Sequence, residues 1–439
     1  MASSTSIGFK VQRPAGAGQQ VHSKITVARI LLSTFGSYGD LHPYMALGLE
    51  LRDRGHQVTL ATSAFYAEKV RSEGLEFLAI RPDLPPTDQA TASRVMHPRR
   101  GPEFVIRFLA DAVRETYQDI LPAVKRADLV VAHPIPLGTV PAAQKVGVPW
   151  VSAVLAPFSL FSAYDPPMFA EAPWAQRLRV LGPGAMRWLL AQGKRQCLPW
   201  IKPVFDLRRE LGLGAVGHPL FEGQHAPGLA LALFAKCLAQ PQPDWPPQTL
   251  VTGFVFYDRH HQQQGMSPEL QRFLADGPAP LVFTLGSSAV GAAGDFYTAS
   301  LQAAKRLGMR AVFLTGPFAQ GLPADAMVAE YAPHSELFPR AAAIVHQGGI
   351  GTTAQAMRSG RPMLVVPFAY DQFDNGDRVR RLGMGEMLYH RRYSARGAER
   401  WLRRLVEDTR YAKAGAAVAA QLGAEDGLKA AADAICGKL

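Results

Sequence analysis

Three short runs in this 439-residue chain combine glycines with groups that move protons or hold anions. Gly36-Ser37-Tyr38-Gly39-Asp40 places a carboxylate just past an apolar strand pattern. Burial raises the pKa of such a carboxylate toward working pH, where it can take a proton from a hydroxyl as general base. Asp40 is equally suited to closing a helix N-terminus ahead of Pro43, and the sequence leaves both uses open. The second run, Thr284-Leu285-Gly286-Ser287-Ser288, offers backbone N–H groups and the hydroxyls of Ser287 and Ser288 to phosphate oxygens. In the third, His346-Gln347-Gly348-Gly349-Ile350-Gly351-Thr352-Thr353, a buried strand pattern ends in histidine. Gly348, Gly349 and Gly351 let backbone approach a ligand, and Thr352 and Thr353 open a helix. That is the chemistry of a diphosphate cradle, with His346 protonated or hydrogen-bonding to developing charge, although a lone histidine also serves as a structural group.

Residues 349–354 also spell G-x-G-x-x-A, with Asp371 about 20 residues on, the spacing of a dinucleotide fingerprint and its ribose-binding acid. An NAD-dependent oxidoreductase is therefore an alternative reading. Asp371-Gln372, Asp374 and Asp377 set carboxylates three apart on roughly one helix face, and the chain holds no D-x-D pair. Diphosphate charge would then fall to helix termini, hydroxyls and histidine, and no metal is expected. The markers of serine hydrolases, zincins and P-loop enzymes are absent.

The elements that must position these runs alternate in strand and helix patterns from residue 25 onward, the signature of α/β folds with parallel sheets. A strand is expected over 25–34, a helix over 43–54, a strand over 56–62, a long helix over 103–126, and strands over 128–132 and 149–155. After an irregular stretch at 157–203, suited to an acceptor pocket or lid, a Pro- and Gln-rich connection over 240–265 carries a strand at 250–256. A second half starts near 280, with strands over 281–285, 311–314, 342–345 and 363–366. Two Rossmann-like halves account for two glycine-hydroxyl loops better than one dinucleotide domain does.

The 48% hydrophobic and 19% charged composition fits a globular chain, and no apolar run reaches the roughly 18 residues of a membrane span. Cys197, Cys237 and Cys436 form no C-x-x-C pair, which points to a reducing cytoplasm. The first 27 residues, basic and rich in Ser, Ala and Gly, read as a flexible extension, with a transit peptide as the other reading. Net charge is +11, and nine arginines between 378 and 404 stand against only Glu386 and Glu399. These arginines coat either a solvated helix face or a contact for anionic lipid.

Residues 331–372 resemble the signature of nucleotide-sugar glycosyltransferases of the GT-B fold, with Tyr331-Ala332-Pro333-His334, the 346–353 run, Gly360-x-Pro362, Pro367 and Asp371-Gln372 in order. Pro243-Asp244-Trp245-Pro246, Thr252-Gly253-Phe254 and residues 371–375 look most like the rhamnosyltransferase subunit of rhamnolipid synthesis, which suggests a bacterial source. The resemblance implies two Rossmann-like domains facing each other across a cleft: an acceptor domain at 28–240, a linker at 241–265, a nucleotide-sugar domain at 266–425, and a terminal helix at 426–439 that returns to the first domain. It places Tyr331, Ala332 and His334 at the nucleobase, Ser287, Ser288, His346 and the glycine-threonine loop at the diphosphate, Asp371 and Gln372 at the sugar, Asp40 as the base, and Gly36, Ser37 and Gly39 around the acceptor. A ribose-gripping glutamate of plant members is replaced here by Ala354, next to Gln355, which leaves dTDP- and UDP-sugars both open. The implied activity is inverting, metal-independent transfer of a hexose or deoxyhexose to a small lipophilic acceptor, without a cofactor or nucleic acid, in the cytoplasm or at the inner face of its membrane. A non-catalytic sugar-nucleotide-binding subunit and a sugar-nucleotide epimerase remain alternatives of the same fold.

Overall fold

The computed structural model describes residues 27–83, 89–257, 265–316, 322–323 and 326–439. The expected extension, apart from Val27, and the polar run 258–264 fall outside the described residues. Among the described residues, thirteen strands form two all-parallel sheets. The first holds β1 (Arg29–Ser33), β2 (Gln57–Thr62), β3 (Glu76–Ala79), β4 (Leu129–Ala132), β5 (Trp150–Val154), β6 (Ala230–Ala232) and β7 (Thr249–Val251). Its spatial order is β3-β2-β1-β4-β5-β6-β7. The second holds β8 (Leu281–Thr284), β9 (Ala311–Leu314), β10 (Met327–Ala329), β11 (Ala343–His346), β12 (Met363–Val365) and β13 (Gly385–Met387), ordered β10-β9-β8-β11-β12-β13.

Leu-Val-Val-Ala in β4, Leu-Val-Phe-Thr in β8 and Ala-Ile-Val-His in β11 are buried at every position. Such continuous apolar runs suit strands covered by helices on both faces, so the expected α/β class with two Rossmann-like halves is what forms. The strands the sequence pattern does not show are mostly edges. β3, β10 and β13 are short and only partly covered, so they carry no run of apolar residues. β6 is internal but only Ala-Leu-Ala long. The Pro-rich 241–265 segment supplies β7, which pairs with β6 and so belongs to the first sheet.

Two helices differ from their expected bounds. The expected helix at 43–54 runs over Tyr38–Asp53, because Ser37 and Asp40 form a capping box that starts the helix five residues before Pro43. The expected 103–126 helix is two, Gly101–Asp111 and Val113–Val124, which meet at Ala112.

Helix Tyr38–Asp53 is clamped between its own sheet and the last helix of the chain, Gly427–Cys436. Ala431, Ala432 and Ile435 of that last helix share one buried cluster with Leu47, Leu51 and Ile30. The terminal helix therefore packs on the first lobe, and Arg54 bonds Asp433 at 2.6 Å. This arrangement fixes the base of the helix whose opposite end carries Asp40.

Candidate active site

In open parallel sheets, ligands gather where strand order reverses, outside the carboxyl ends of the strands. The reversals here fall between β1 and β4 and between β8 and β11. The loops that follow β1, β8 and β11 are the three runs that the sequence marks as chemical. They meet across the cleft: a Cβ placed on Gly351 would stand 3.4 Å from Cα of Gly39.

On the first lobe, Asp40 is the third residue of its helix. Its Oδ2 accepts from the Ser37 backbone N–H at 2.8 Å and lies 3.1 Å from the Ser37 hydroxyl. Gly36, at φ +138°, has no room for a side chain, because a Cβ there would run into the Asp40 carboxylate. Burial drives the Asp40 pKa up to about 6, against the opposing pull of the Ser37 hydrogen bonds. The capping reading of Asp40 is what forms, and it leaves the carboxyl with the raised pKa that the other reading requires. One oxygen closes the helix, and the same carboxyl has the proton affinity of a base at neutral pH.

On the second lobe, helix Ile350–Ser359 starts at Gly349 with no side-chain cap. Its first N–H groups point out of the helix as free donors, the arrangement that receives anions. Thr352 and Thr353 are buried in its first turn, and the Thr353 hydroxyl has no partner. Ser287 and Ser288 sit half-buried on the short helix Gly286–Ala289. Gly348, at φ +90°, is backed so closely by Val365 and Gln372 that a Cβ would come within 2.6 Å of the Val365 side chain.

His346, expected at the diphosphate, is turned into the core. The ring is fully buried, its Nδ1 accepts from the Gly348 N–H at 3.0 Å, and its Nε2 lies 3.3 Å from the Met363 sulfur. Burial takes its pKa down to about 3, with His334 adding to the shift, so the ring is neutral and shapes the loop from behind. The side chain among the loops is Gln347, which sequence reasoning missed. Its Nε2 lies against Gly286, and a Cβ on Gly349 would be 2.9 Å from it. Gln347 Oε1 is buried without a partner. Period-two alternation past the strand was the available signal, since a buried His346 turns its neighbour outward.

Asp371 is half-buried at the cleft, its Oδ2 bonded to Asn375 Nδ2 at 2.8 Å, and that amide also reaches the Gly348 carbonyl at 2.9 Å. Burial pushes the Asp371 pKa up to about 7; the Asn375 bond opposes this, and the charges of Asp40 and Asp374 add to it. Gln372 points inward. Its Oε1 accepts from the backbone of Phe368 at 2.8 Å and Ala369 at 3.2 Å, leaving only Nε2, beside Met96, to donate. Tyr331 is 42% exposed beyond the end of β10, whereas Ala332 is fully buried and His334 stacks on Phe338. Ala354 is buried in a core cluster that also holds Ala332, and its neighbour Gln355 bonds Arg358.

Asp374 and Asp377, read from sequence as one carboxylate face, each pair with arginine instead. Asp374 holds Arg378 at 2.8 Å, and Asp377 holds Arg380 and Arg381. Arg378, only 2% exposed, also pairs with Asp165 of the first lobe, and Met168 N–H donates to Asp374 at 3.1 Å. This buried bridge joins the lobes, and losing either partner would strand a charge. Tyr370, at φ +55°, adds a second link through its hydroxyl to the Val95 carbonyl at 2.7 Å. The Arg-rich 378–404 stretch is therefore no single face. Arg378 is internal, Leu402 and Leu405 are buried, and Arg403 pairs with Glu399 and Glu407. The other arginines of the stretch face solvent, Arg380 and Arg381 at the end of helix Gln372–Arg381 and the rest on helix Ala395–Glu407 and the turn before it.

Residues 30–149 match the Glycosyltransferase family 28 N-terminal domain, and residues 314–431 match the Erythromycin biosynthesis protein CIII-like C-terminal domain. The chain is 35% identical over 365 residues to O-mycaminosyltylonolide 6-deoxyallosyltransferase of Streptomyces fradiae, covering 81% of this chain and 84% of that one. Among solved structures it is similar to the glycotransferase of kitacinnamycin, with TM-score 0.69, 22% identity, and 94% and 99% of the two chains covered. It is also similar to glycosyltransferase VinC in complex with dTDP, with TM-score 0.65, 17% identity, and 94% and 100% covered. A sheet pair built around an uncapped helix N-terminus and a facing carboxylate thus has its sequence counterpart: the chain belongs to the GT-B nucleotide-sugar glycosyltransferases, joining a family 28 N-terminal domain to an erythromycin CIII-like C-terminal domain.

Proposed function

We propose that the chain is an inverting, metal-independent transferase that moves a hexose or deoxyhexose from a dTDP- or UDP-sugar onto a hydroxyl of a small lipophilic acceptor. The observation that carries this reading is the closeness of the Asp40 loop to the uncapped start of helix Ile350–Ser359 at the Gly39–Gly351 approach. Asp40 takes the acceptor proton, the acceptor oxygen bonds to the anomeric carbon, and the bond from that carbon to the diphosphate oxygen breaks on the opposite face. Configuration inverts because base and leaving group stand on opposite lobes. The diphosphate charge is met by the first N–H groups of that helix, the hydroxyls of Thr352, Thr353, Ser287 and Ser288, and Gln347. Asp371 is placed to accept from sugar hydroxyls, and Tyr331 to stack on the base. Backbone donors stand where a divalent ion would otherwise neutralise charge, and no group of three or more metal-ligating side chains occurs among the described residues.

The Streptomyces fradiae relative is named for a 6-deoxyhexosyl transfer, and VinC holds dTDP. Both favour a dTDP-deoxyhexose donor. Calorimetry with UDP, dTDP, their glucose and rhamnose conjugates and NAD(H), in the presence of a chelator, tests the donor. Micromolar binding of one nucleotide is expected, and NAD(H) binding alone would overturn the reading. The anomeric coupling constant of the product by NMR decides between inversion and retention.

A further inference from the structure

Residues 172–205 contain no aspartate or glutamate and six cations, Arg177, Arg179, Arg187, Lys194, Arg195 and Lys202. They fold as a nine-residue 3-10 segment, Pro173–Leu181, in contact with helix Pro183–Cys197. Twelve large apolar side chains are strongly exposed among the described residues, and Trp174 (60%), Val180 (84%), Leu181 (66%), Trp188 (63%) and Leu198 (43%) lie within these 34 positions. Trp174 and Trp188 are the only exposed tryptophans among the described residues. Trp188 and Arg195 are seven apart on one helix face, and both are exposed. Lys194 pairs with Glu222, Lys202 with Asp206, and Arg187 lies over Tyr164, but Arg177, Arg179 and Arg195 have no ion-pair partner among the described residues.

We infer that this surface docks the protein on an anionic lipid bilayer, with Trp174, Val180, Leu181 and Trp188 entering the headgroup boundary and Arg177, Arg179 and Arg195 meeting lipid phosphates. Exposed tryptophans and aliphatics interspersed along the chain with unpaired arginines, with no acid between them in the sequence, match a negatively charged, partly apolar plane. An aqueous role leaves such side chains unexplained, since large apolar groups gathered in one patch mark an interaction surface. No helix among the described residues is long and apolar enough to cross a membrane, so the contact is peripheral. The arginines of helix Ala395–Glu407 are poorer candidates, because Leu402 and Leu405 of that helix are committed to the core. The patch directly follows the segment that bridges the cleft through Asp165 and Met168, which sets the docked face beside the acceptor side of the site.

The full chain should co-sediment with vesicles of phosphatidylglycerol and phosphatidylcholine, weakly with phosphatidylcholine alone, and less as salt rises. Its tryptophan emission should shift to the blue on binding. Trp174→Ala with Trp188→Ala should weaken binding about tenfold, and Arg177→Glu, Arg179→Glu and Arg195→Glu together should weaken it about a hundredfold. An unchanged melting temperature establishes that both variants fold; the arginine variant, altered only at exposed positions, serves if the tryptophan variant does not. Absence of vesicle binding, binding that survives in a folded patch variant, or binding lost instead in Arg396→Glu with Arg400→Glu would overturn the inference. So would self-association, or affinity for an acidic protein, that depends on Trp174 and Trp188 without any vesicle binding.

Discussion

The two lobes repeat one local design, a buried strand that ends near glycine and feeds a helix, and they use it in opposite ways. After β1 the helix start is closed: Ser37 and Asp40 satisfy each other, and what remains to face the cleft is a carboxyl with a raised pKa. After β11 the start is open: Gly349 provides no cap, and what faces the cleft is a row of N–H donors. On the proposed function, the same secondary structure thus serves as a proton acceptor on one side and an anion receptor on the other. The difference lies in two positions of each helix start, Ser37 against Gly349 at the N-cap and Asp40 against Thr352 three residues on.

The sharpest way to break that comparison is Asp40→Asn, which keeps an oxygen for the Ser37 cap and removes the base. Turnover should fall roughly 10²- to 10⁴-fold while thermal stability stays near that of the parent. Equal turnover would reduce Asp40 to a capping residue. In the parent, turnover should decline as pH falls through 7 to 6, the values to which burial drives Asp371 and Asp40. Stability should run the other way. Both folded pKa values lie above the ordinary 3.8, so this pair's contribution is full below about pH 4 and lost as pH rises through 6 to 7.

Closing the open helix gives the next largest effect. Gly349→Asp, at a backbone of φ −58° that suits any residue but with a Cβ 2.9 Å from Gln347 Nε2, should change stability by less than about 0.5 kcal/mol and weaken nucleotide-diphosphate binding at least about tenfold, read by calorimetry. Unchanged affinity would mean that the helix start does not face the donor. Gln347→Ala should raise the donor Kd by roughly tenfold, the loss of one hydrogen bond to a charged group, with little change in melting. His346→Ala should do the reverse, lowering the melting temperature through a buried cavity. Smallest is Ser37→Ala, a loss of about 1 kcal/mol of stability from the cap, measured by denaturant titration.

Much of this was legible in the residues themselves. Continuous apolar runs at 129–132, 281–284, 311–314 and 343–346 gave parallel strands, and glycine-hydroxyl runs after three strands marked the loops that meet in the cleft. Asp40, Asp371 and the 349–353 turn follow from residue type and position, because strand ends and helix starts are local properties. The edge strands β3, β10 and β13 did not show, since half-exposed backbone pairing leaves no apolar pattern.

What the tertiary structure alone decided is orientation and partnership. Whether His346 or Gln347 faces the ligand depends on which side of β11 is packed, and β11 lies between β8 and β12. Arg378 reads as one more surface charge until Asp165, 213 positions away, is folded against it. Trp174 and Trp188 fall in the stretch suited to an acceptor pocket or lid, and packing leaves both exposed. Local sequence sets which groups exist and how each helix begins, whereas burial, and with it charge state and exposure, is fixed by residues distant in the chain.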